Sequence, residues 1–277
     1  MPIRSAVTVS LVPAARGGPF VFWDDLRTAC ETAAQLGFDA IELFPPSAAE
    51  VNTNELRGLL DQHNLQLAAV GTGAGWVQRR LILTSSNAST RERAVSFVGE
   101  IIDLAGQFAA PAIIGSMQGR YGDPSAEQFV ERDSAIAALR EALEALAARA
   151  AHHAQPLLYE PLNRYETNLT NTIAAGQELL ESLRTNNVRL LADLFHMNIE
   201  EVDLGDALRA AGPRLGHLHF VDSNRRPAGC GHLNYSPIAA ALRDIEYNGY
   251  ASAEALPWPD SRAAAEQTIT AFRKWFG

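Results

Sequence analysis

Residues 188–220 read VRLLADLFHMNIEEVDLGDALRAAGPRLGHLHF, and the fold can be read outward from them. The two apolar runs, 188–192 and 215–220, are short, apolar on both faces and separated by a longer segment. Runs of this kind are strands of a parallel sheet buried on both sides, joined by crossovers. The pattern repeats in both directions, with equivalent runs at 6–11, 40–43, 67–71, 112–115, 156–160 and 250–255. The segments between them read as helices. Ile136, Leu139, Leu143 and Leu146 recur at helical spacing, as do Val95, Val98, Ile102 and Ala105 behind a Ser89-x-x-Glu92 capping box. Ser236 before Pro237 reads as an N-cap leading into Ile238, Leu242 and Ile245, and Ile269, Phe272 and Phe276 give the last helix its apolar face.

Eight strand–helix units close into a (β/α)8 TIM barrel, and 277 residues fit one such barrel as a single domain over 1–277. A doubly wound open sheet would place a glycine-rich phosphate turn after its first strand. The turn here, Val12-Pro13-Ala14-Ala15-Arg16-Gly17-Gly18, lacks that spacing. The longest irregular segments are 71–86 and 221–235, and long loops after barrel strands are where such folds place function.

Hydrophobic residues make up 47% of the chain, enough for a large core, and the formal net charge of −9 argues against a nucleic-acid partner. Two cysteines, Cys30 and Cys230, build no disulfide framework and suggest a reducing compartment. The N-terminal MPIRSAVTVSLV resembles a weak secretory signal, but its apolar run is short and alternates as a strand would. No apolar run approaches the roughly 20 residues that cross a bilayer. The expectation is a cytoplasmic protein with no membrane partner.

The last four predicted strands each end in, or hold near the end, a metal-binding side chain. These are Glu160, Asp193, His219 and Glu254. Neighbouring strand ends lie side by side on the C-terminal face of a barrel, so the four can converge. One acidic residue at a strand end is more often a cap or an ion-pair partner; four in register on adjacent strands form a constellation. Three carboxylates and one imidazole make a hard, oxygen-rich set suited to one divalent metal ion. Mn²⁺ fits best, with Mg²⁺ or Co²⁺ as alternatives and Zn²⁺ less favoured. Such a cation offsets the repulsion of buried carboxylates.

The same segments resemble the xylose-isomerase-like family of sugar isomerases and epimerases, and within it the D-tagatose 3-epimerase-like group. The motifs are Glu160-Pro161-Leu162-Asn163-Arg164-Tyr165-Glu166 with Asn171-Thr172, and Asp193-Leu194-Phe195-His196-Met197-Asn198-Ile199-Glu200-Glu201. To these add His219 through Asn224-Arg225-Arg226-Pro227, Gly229-x-Gly231-His232, and Gly249-Tyr250 before Glu254. The resemblance implies metal ligation by Glu160, Asp193, His219 and Glu254. It implies substrate contacts from Glu166, His196 and Arg225, and an acid/base pair in Glu160 and Glu254. It also implies a homo-oligomer. Two positions depart from the group: Asp222 stands where ketohexose 3-epimerases usually carry Glu, and Asn234 where many carry an acidic residue. The run Gly115-Ser116-Met117-Gln118-Gly119-Arg120 offers Gln118 or Arg120 as further substrate contacts, or else a surface loop whose Arg pairs with a neighbouring carboxylate.

The function expected is therefore epimerisation of a ketose or keto-polyol beside its carbonyl, of C3 type, through a metal-stabilised enediolate. The alternatives are an inosose or keto-acid sugar isomerase or dehydratase on the same barrel, a non-catalytic sugar binder and, remotely, an endonuclease-IV-like DNA repair enzyme. For His196, substrate contact stands against orientation of Asp193. For Glu166 and Arg225, substrate contact stands against a mutual salt bridge.

Overall fold

The computed structural model describes residues 2–23, 25–122 and 130–277. Eight parallel strands close on themselves: β1 (Arg4–Ser10), then, after a short extra strand β2 (Phe22–Trp23), β3 (Ala40–Phe44), β4 (Gln66–Gly71), β5 (Ala112–Ile114), β6 (Leu157–Tyr159), β7 (Val188–Asp193), β8 (Leu215–His219) and β9 (Tyr250–Ala253). Each of the eight pairs with the next, and β9 returns to β1 with Arg4 opposite Tyr250, which makes this a (β/α)8 TIM barrel. That ladder reaches only to Val7, so Val9 and Ser10 at the upper end of β1 pair with Phe22 and Trp23 of β2 instead. The helices between strands are α1 (Leu26–Leu36), α2 (Thr53–His63), α3 (Ala74–Arg79), α4 (Ala88–Gly106), α5 (Arg132–Ala151), α6 (Ile173–Glu181), α7 (Leu194–Glu200), α8 (Leu204–Ala211), α9 (Tyr235–Asp244) and α10 (Ser261–Phe276). None of the described helices is long and apolar enough to cross a membrane.

All eight expected strands are present. Two helix starts lie elsewhere than expected, for the same reason. Asn87, not Ser89, caps α4, its side chain accepting from Thr90 N; Asn234, not Ser236, caps α9, accepting from Ser236 N. Asn serves as well as Ser at an N-cap, and the earlier residue wins by starting the helix sooner. The segment 71–86 is not wholly irregular, because it contains α3. Six residues are too few for a helical period to register.

The barrel interior is layered by the two-residue period of its strands. Ala6, Ala40 and Ala68 pack with Tyr250 in one cluster, and Ala69, Ile113, Leu158 and Leu191 form another. Continuing from the second cluster, Leu158 points the same way as Glu160, and Leu191 the same way as Asp193. Two irregularities set the levels. β3 and β4 slip between Ile41 and Glu42, and β7 and β8 slip between Leu190 and Leu191. The second slip places His217 opposite Leu191 and His219 opposite Asp193. The layer beneath the polar face is thus apolar and buried. Leu158→Ala opens a cavity there and is expected to lower unfolding free energy by about 2–5 kcal/mol in urea denaturation; a change under about 0.5 kcal/mol would contradict this packing.

Candidate metal centre and active site

Each ligand is fixed by its own backbone. Glu160 stands one residue beyond β6, yet its N–H still bonds Ile114 O at 3.0 Å, so the ladder aims it. Gly115 makes room for it: a Cβ there would lie 2.5 Å from Glu160 Oε2. Asp193 ends β7 and caps α7. Its Oδ1 accepts from Phe195 N at 2.7 Å and His196 N at 3.3 Å, which leaves Oδ2 for the centre. His219 ends β8, and Glu254 follows β9.

The four groups do converge. His219 Nδ1 lies 3.1 Å from Asp193 Oδ2, 3.4 Å from Glu160 Oε1 and 3.5 Å from Glu254 Oε2. One ligand atom from each lies within 4.8 Å of the others. Glu160, Asp193 and His219 are buried, while Glu254 is slightly open. Glu160 Oε1 is buried without a hydrogen-bond partner, because the His219 contact lacks hydrogen-bond geometry. An orphaned carboxylate oxygen among three further ligand atoms is the donor set that a hard divalent cation completes.

Arg225, in the loop after β8 and at a left-handed φ of 58°, enters the same space. Its guanidinium reaches Glu254, Asp193 Oδ2 at 3.4 Å and His196 Nε2 at 3.0 Å, and stacks 4.7 Å from the Phe195 ring centre. It pairs with these acids rather than forming a bridge with Glu166. Burial raises the carboxyls of Glu160 and Glu254 against the pull of His219 and Arg225. His219 is raised well above its ordinary value, its burial outweighed by Glu254, Glu42, Asp193 and Glu160. Burial, opposed by Asp193 and helped by Arg225, drives His196 down to about 3, so its ring is neutral near neutral pH.

His196, Glu166 and Arg225 form one wall of the site. Asn163 links the first two: its backbone N donates to His196 Nδ1 at 3.2 Å, and its amide donates to Glu166 Oε1 at 3.2 Å. The His196 ring does not hydrogen-bond Asp193; its Nε2 is 3.9 Å away. Gln118 is placed behind the site, not in it. Its amide donates to Gly115 O and Glu160 O at 3.1 and 3.0 Å, and Tyr159 Oη donates to it at 2.6 Å. Arg120 is exposed and donates to Tyr165 O at 3.1 Å. The two departures in the loop after β8 are structural. Asp222 accepts from Ser223 N, Gly229 N and Leu233 N, and Asn234 caps α9.

The sequence reading passed over Glu42 and His217. Glu42 Oε1 lies 3.2 Å from His219 Nε2, and Oε2 lies 2.7 Å from His217 Nε2. An acidic residue inside the apolar run 40–43 was the available signal.

Two outcomes follow from this geometry. Gly115→Ala forces Glu160 aside, and Mn²⁺ should bind at least about 10-fold more weakly, roughly 1.4 kcal/mol, by calorimetric titration. The raised carboxyls and His219 hold protons that a cation must displace, so metal affinity rises with pH and falls as pH drops through their folded values. Calorimetry in buffers of different ionisation enthalpy should record net proton release on Mn²⁺ binding near neutral pH; uptake would contradict the assigned shifts.

The xylose isomerase-like TIM barrel family matches residues 30–275. The chain is 32% identical over 237 residues to D-psicose 3-epimerase of Agrobacterium fabrum, an alignment covering 85% of this chain and 78% of that one. It is 29% identical over 227 residues to L-ribulose 3-epimerase of Methylomonas sp., covering 80% and 76%. Among solved structures, D-psicose 3-epimerase in the presence of D-fructose superimposes with a TM-score of 0.79 at 25% identity, covering 99% of this chain and 100% of that one. These relatives are carbohydrate epimerases, and closed barrel, ligand-bearing strand ends and sequence together make this chain a member of the xylose isomerase-like TIM barrel family.

Proposed function

We propose that this chain is a metal-dependent ketose 3-epimerase acting on a free ketose, with Glu160 and Glu254 as the acid/base pair. One observation carries the reading: the four ligands come from consecutive strands, and the two glutamates are the outer members, flanking Asp193 and His219. Inversion beside a carbonyl needs one group to remove a proton and a second to return one on the opposite face. A divalent cation held by Glu160, Asp193, His219 and Glu254, taken here as Mn²⁺, would polarise the substrate carbonyl and acidify the adjoining C–H.

The protein groups supply the remaining steps. One glutamate, ionised, takes the C3 proton, and the other, protonated, delivers one to the far side of C3; in the reverse direction they exchange roles. Neutral His196, with Nδ1 accepting from Asn163 N and Nε2 facing Arg225, lines the substrate space. Arg225 and Glu166 are positioned to bind hydroxyl groups beside it. A sugar phosphate fits poorly, since Arg225 is already paired with two carboxylates at an acid-rich site. DNA chemistry is disfavoured by the net charge of −9.

The test is deuterium wash-in over D-psicose, D-fructose, D-tagatose and L-ribulose with Mn²⁺ present. Deuterium should enter at C3 with formation of the C3 epimer, and Glu160→Gln and Glu254→Gln should each slow exchange by about 100-fold or more. Entry at C1 with aldose formation would instead mean isomerisation. An ultraviolet-absorbing product would mean loss of water, and binding without exchange would mean a sugar-binding barrel.

A further inference from the structure

We propose that Glu42 and His217 are positioning residues that fix the His219 imidazole with Nδ1 turned, unprotonated, toward the cation. The inference rests on the site reading above and extends it to the opposite wall of the barrel. Glu42 lies on β3 and reaches across the interior to two residues of β8, 175 and 177 positions away in sequence. All three side chains are buried.

An ionised carboxylate only accepts hydrogen bonds. Each Glu42 oxygen faces one imidazole nitrogen at hydrogen-bond distance, Oε2 at His217 and Oε1 at His219. Each imidazole must therefore present an N–H to it, and in both cases the facing atom is Nε2. With its one ring proton committed there, neutral His219 has a bare lone pair on Nδ1. That lone pair faces Asp193 Oδ2 at 3.1 Å, Glu160 Oε1 at 3.4 Å and Glu254 Oε2 at 3.5 Å. Arg225 donates to two of these acceptors, Asp193 Oδ2 and Glu254 Oε2, which leaves Nδ1 and Glu160 Oε1 for a cation to satisfy. In the other tautomer Nδ1 would carry the proton and could not ligate.

His217 completes the device from behind. It holds Glu42 Oε2 at 2.7 Å, the shorter of the two bonds, and so sets the carboxylate plane from which Oε1 meets His219. Its ring stands nearly perpendicular to that of His219, with centroids 5.6 Å apart. Glu42, His217 and His219 could also be read as a second metal site. A carboxylate oxygen 2.7 Å from an imidazole nitrogen in a fully buried setting is a hydrogen bond, and two ligand atoms that close leave little room for an ion between them.

The test uses the full chain with Mn²⁺ as probe. Free Mn²⁺ is followed by electron paramagnetic resonance, and the His219 tautomer by nitrogen NMR of ¹⁵N-histidine-labelled protein without metal, at a pH high enough that the ring is neutral. Glu42→Gln and His217→Leu should weaken Mn²⁺ binding by about 10- to 100-fold, and His217→Gln, which keeps an N–H for Glu42, should restore it. In Glu42→Gln the Nε2–H form of His219 should lose its dominance. Unchanged Mn²⁺ affinity in both Glu42→Gln and His217→Leu, with only thermal stability lowered, would overturn this inference and leave the epimerase reading standing. If either variant fails to fold, the other and the tautomer measured in the unaltered protein still decide. Two Mn²⁺ per chain would replace the proposal with a second metal site. No Mn²⁺ binding by the unaltered protein would sink the site reading and this one together.

Discussion

Three carboxylates and an imidazole brought within a few ångströms of one another, largely out of water, form the constraint on which the rest of this barrel depends. At about 4 Å two like charges repel by roughly 4 kcal/mol even at an effective dielectric near 20. No local structure brings such groups together by its own stability. The strand ends do it because the strands that carry them are each paired on both sides in the closed barrel, and the cluster can relax only by distorting those ladders. The protein meets the charge partly with its own cations, the Arg225 guanidinium and a His219 ring raised toward its protonated form. What stays unmet is visible in Glu160 Oε1, a buried acceptor with no donor.

Much of the surrounding structure serves to limit how those acceptors can move. Asp193 spends one oxygen on the first turn of α7 and has one left over. Glu160 is approached by Gly115, where a side chain would collide, and its carbonyl is held from behind by Gln118. Gln118 is in turn locked by Tyr159. Each connection removes a rotamer that would carry a carboxylate away from the centre. The apolar layer of Ala69, Ile113, Leu158 and Leu191 closes the interior below, so the groups cannot sink to escape one another. Preorganisation of this kind lowers the reorganisation needed when charge develops on a substrate oxygen.

The four converging side chains were legible in the sequence because each is a polar residue at or near the end of a short apolar run, and four such endings fall on consecutive strands. The barrel was legible for a related reason: strands buried on both faces leave runs that few other folds produce. The support behind the ligands was not. Glu42 lies in the second of the eight runs, and its partners lie in the seventh, so no periodicity ties them together. His217 is two residues from His219 and on the same face, which is visible only once the strand and its slip against β7 are known. Gln118 read as a loop residue available to a ligand, because sequence does not reveal that Tyr159 and the Glu160 carbonyl would claim its amide. The helix starts at Asn87 and Asn234 were missed by two residues each, since Asn and Ser compete on nearly equal terms for a cap.

The loop after β8 separates what recognises a substrate from what merely shapes the site. Asp222 is one of the two departures from the resembled group, and its carboxylate is consumed by the N–H groups of Ser223, Gly229 and Leu233. A side chain at Gly231 would strike it, so the turn is built tightly around that carboxylate. The pinned turn holds Arg225 in its left-handed conformation, from which its guanidinium reaches the acids, His196 and the face of Phe195. Asn234, the other departure, is fully occupied in starting α9. On the reading proposed above, discrimination between ketoses would fall to the three side chains beside the centre, Glu166, His196 and Arg225. Of these, Glu166 is the least constrained, held by a single amide hydrogen bond from Asn163 while its carboxyl, raised by burial, remains partly open. On the reading proposed above, a group that open, that weakly tied and that close to His196 is the one whose partner a ligand hydroxyl would supply.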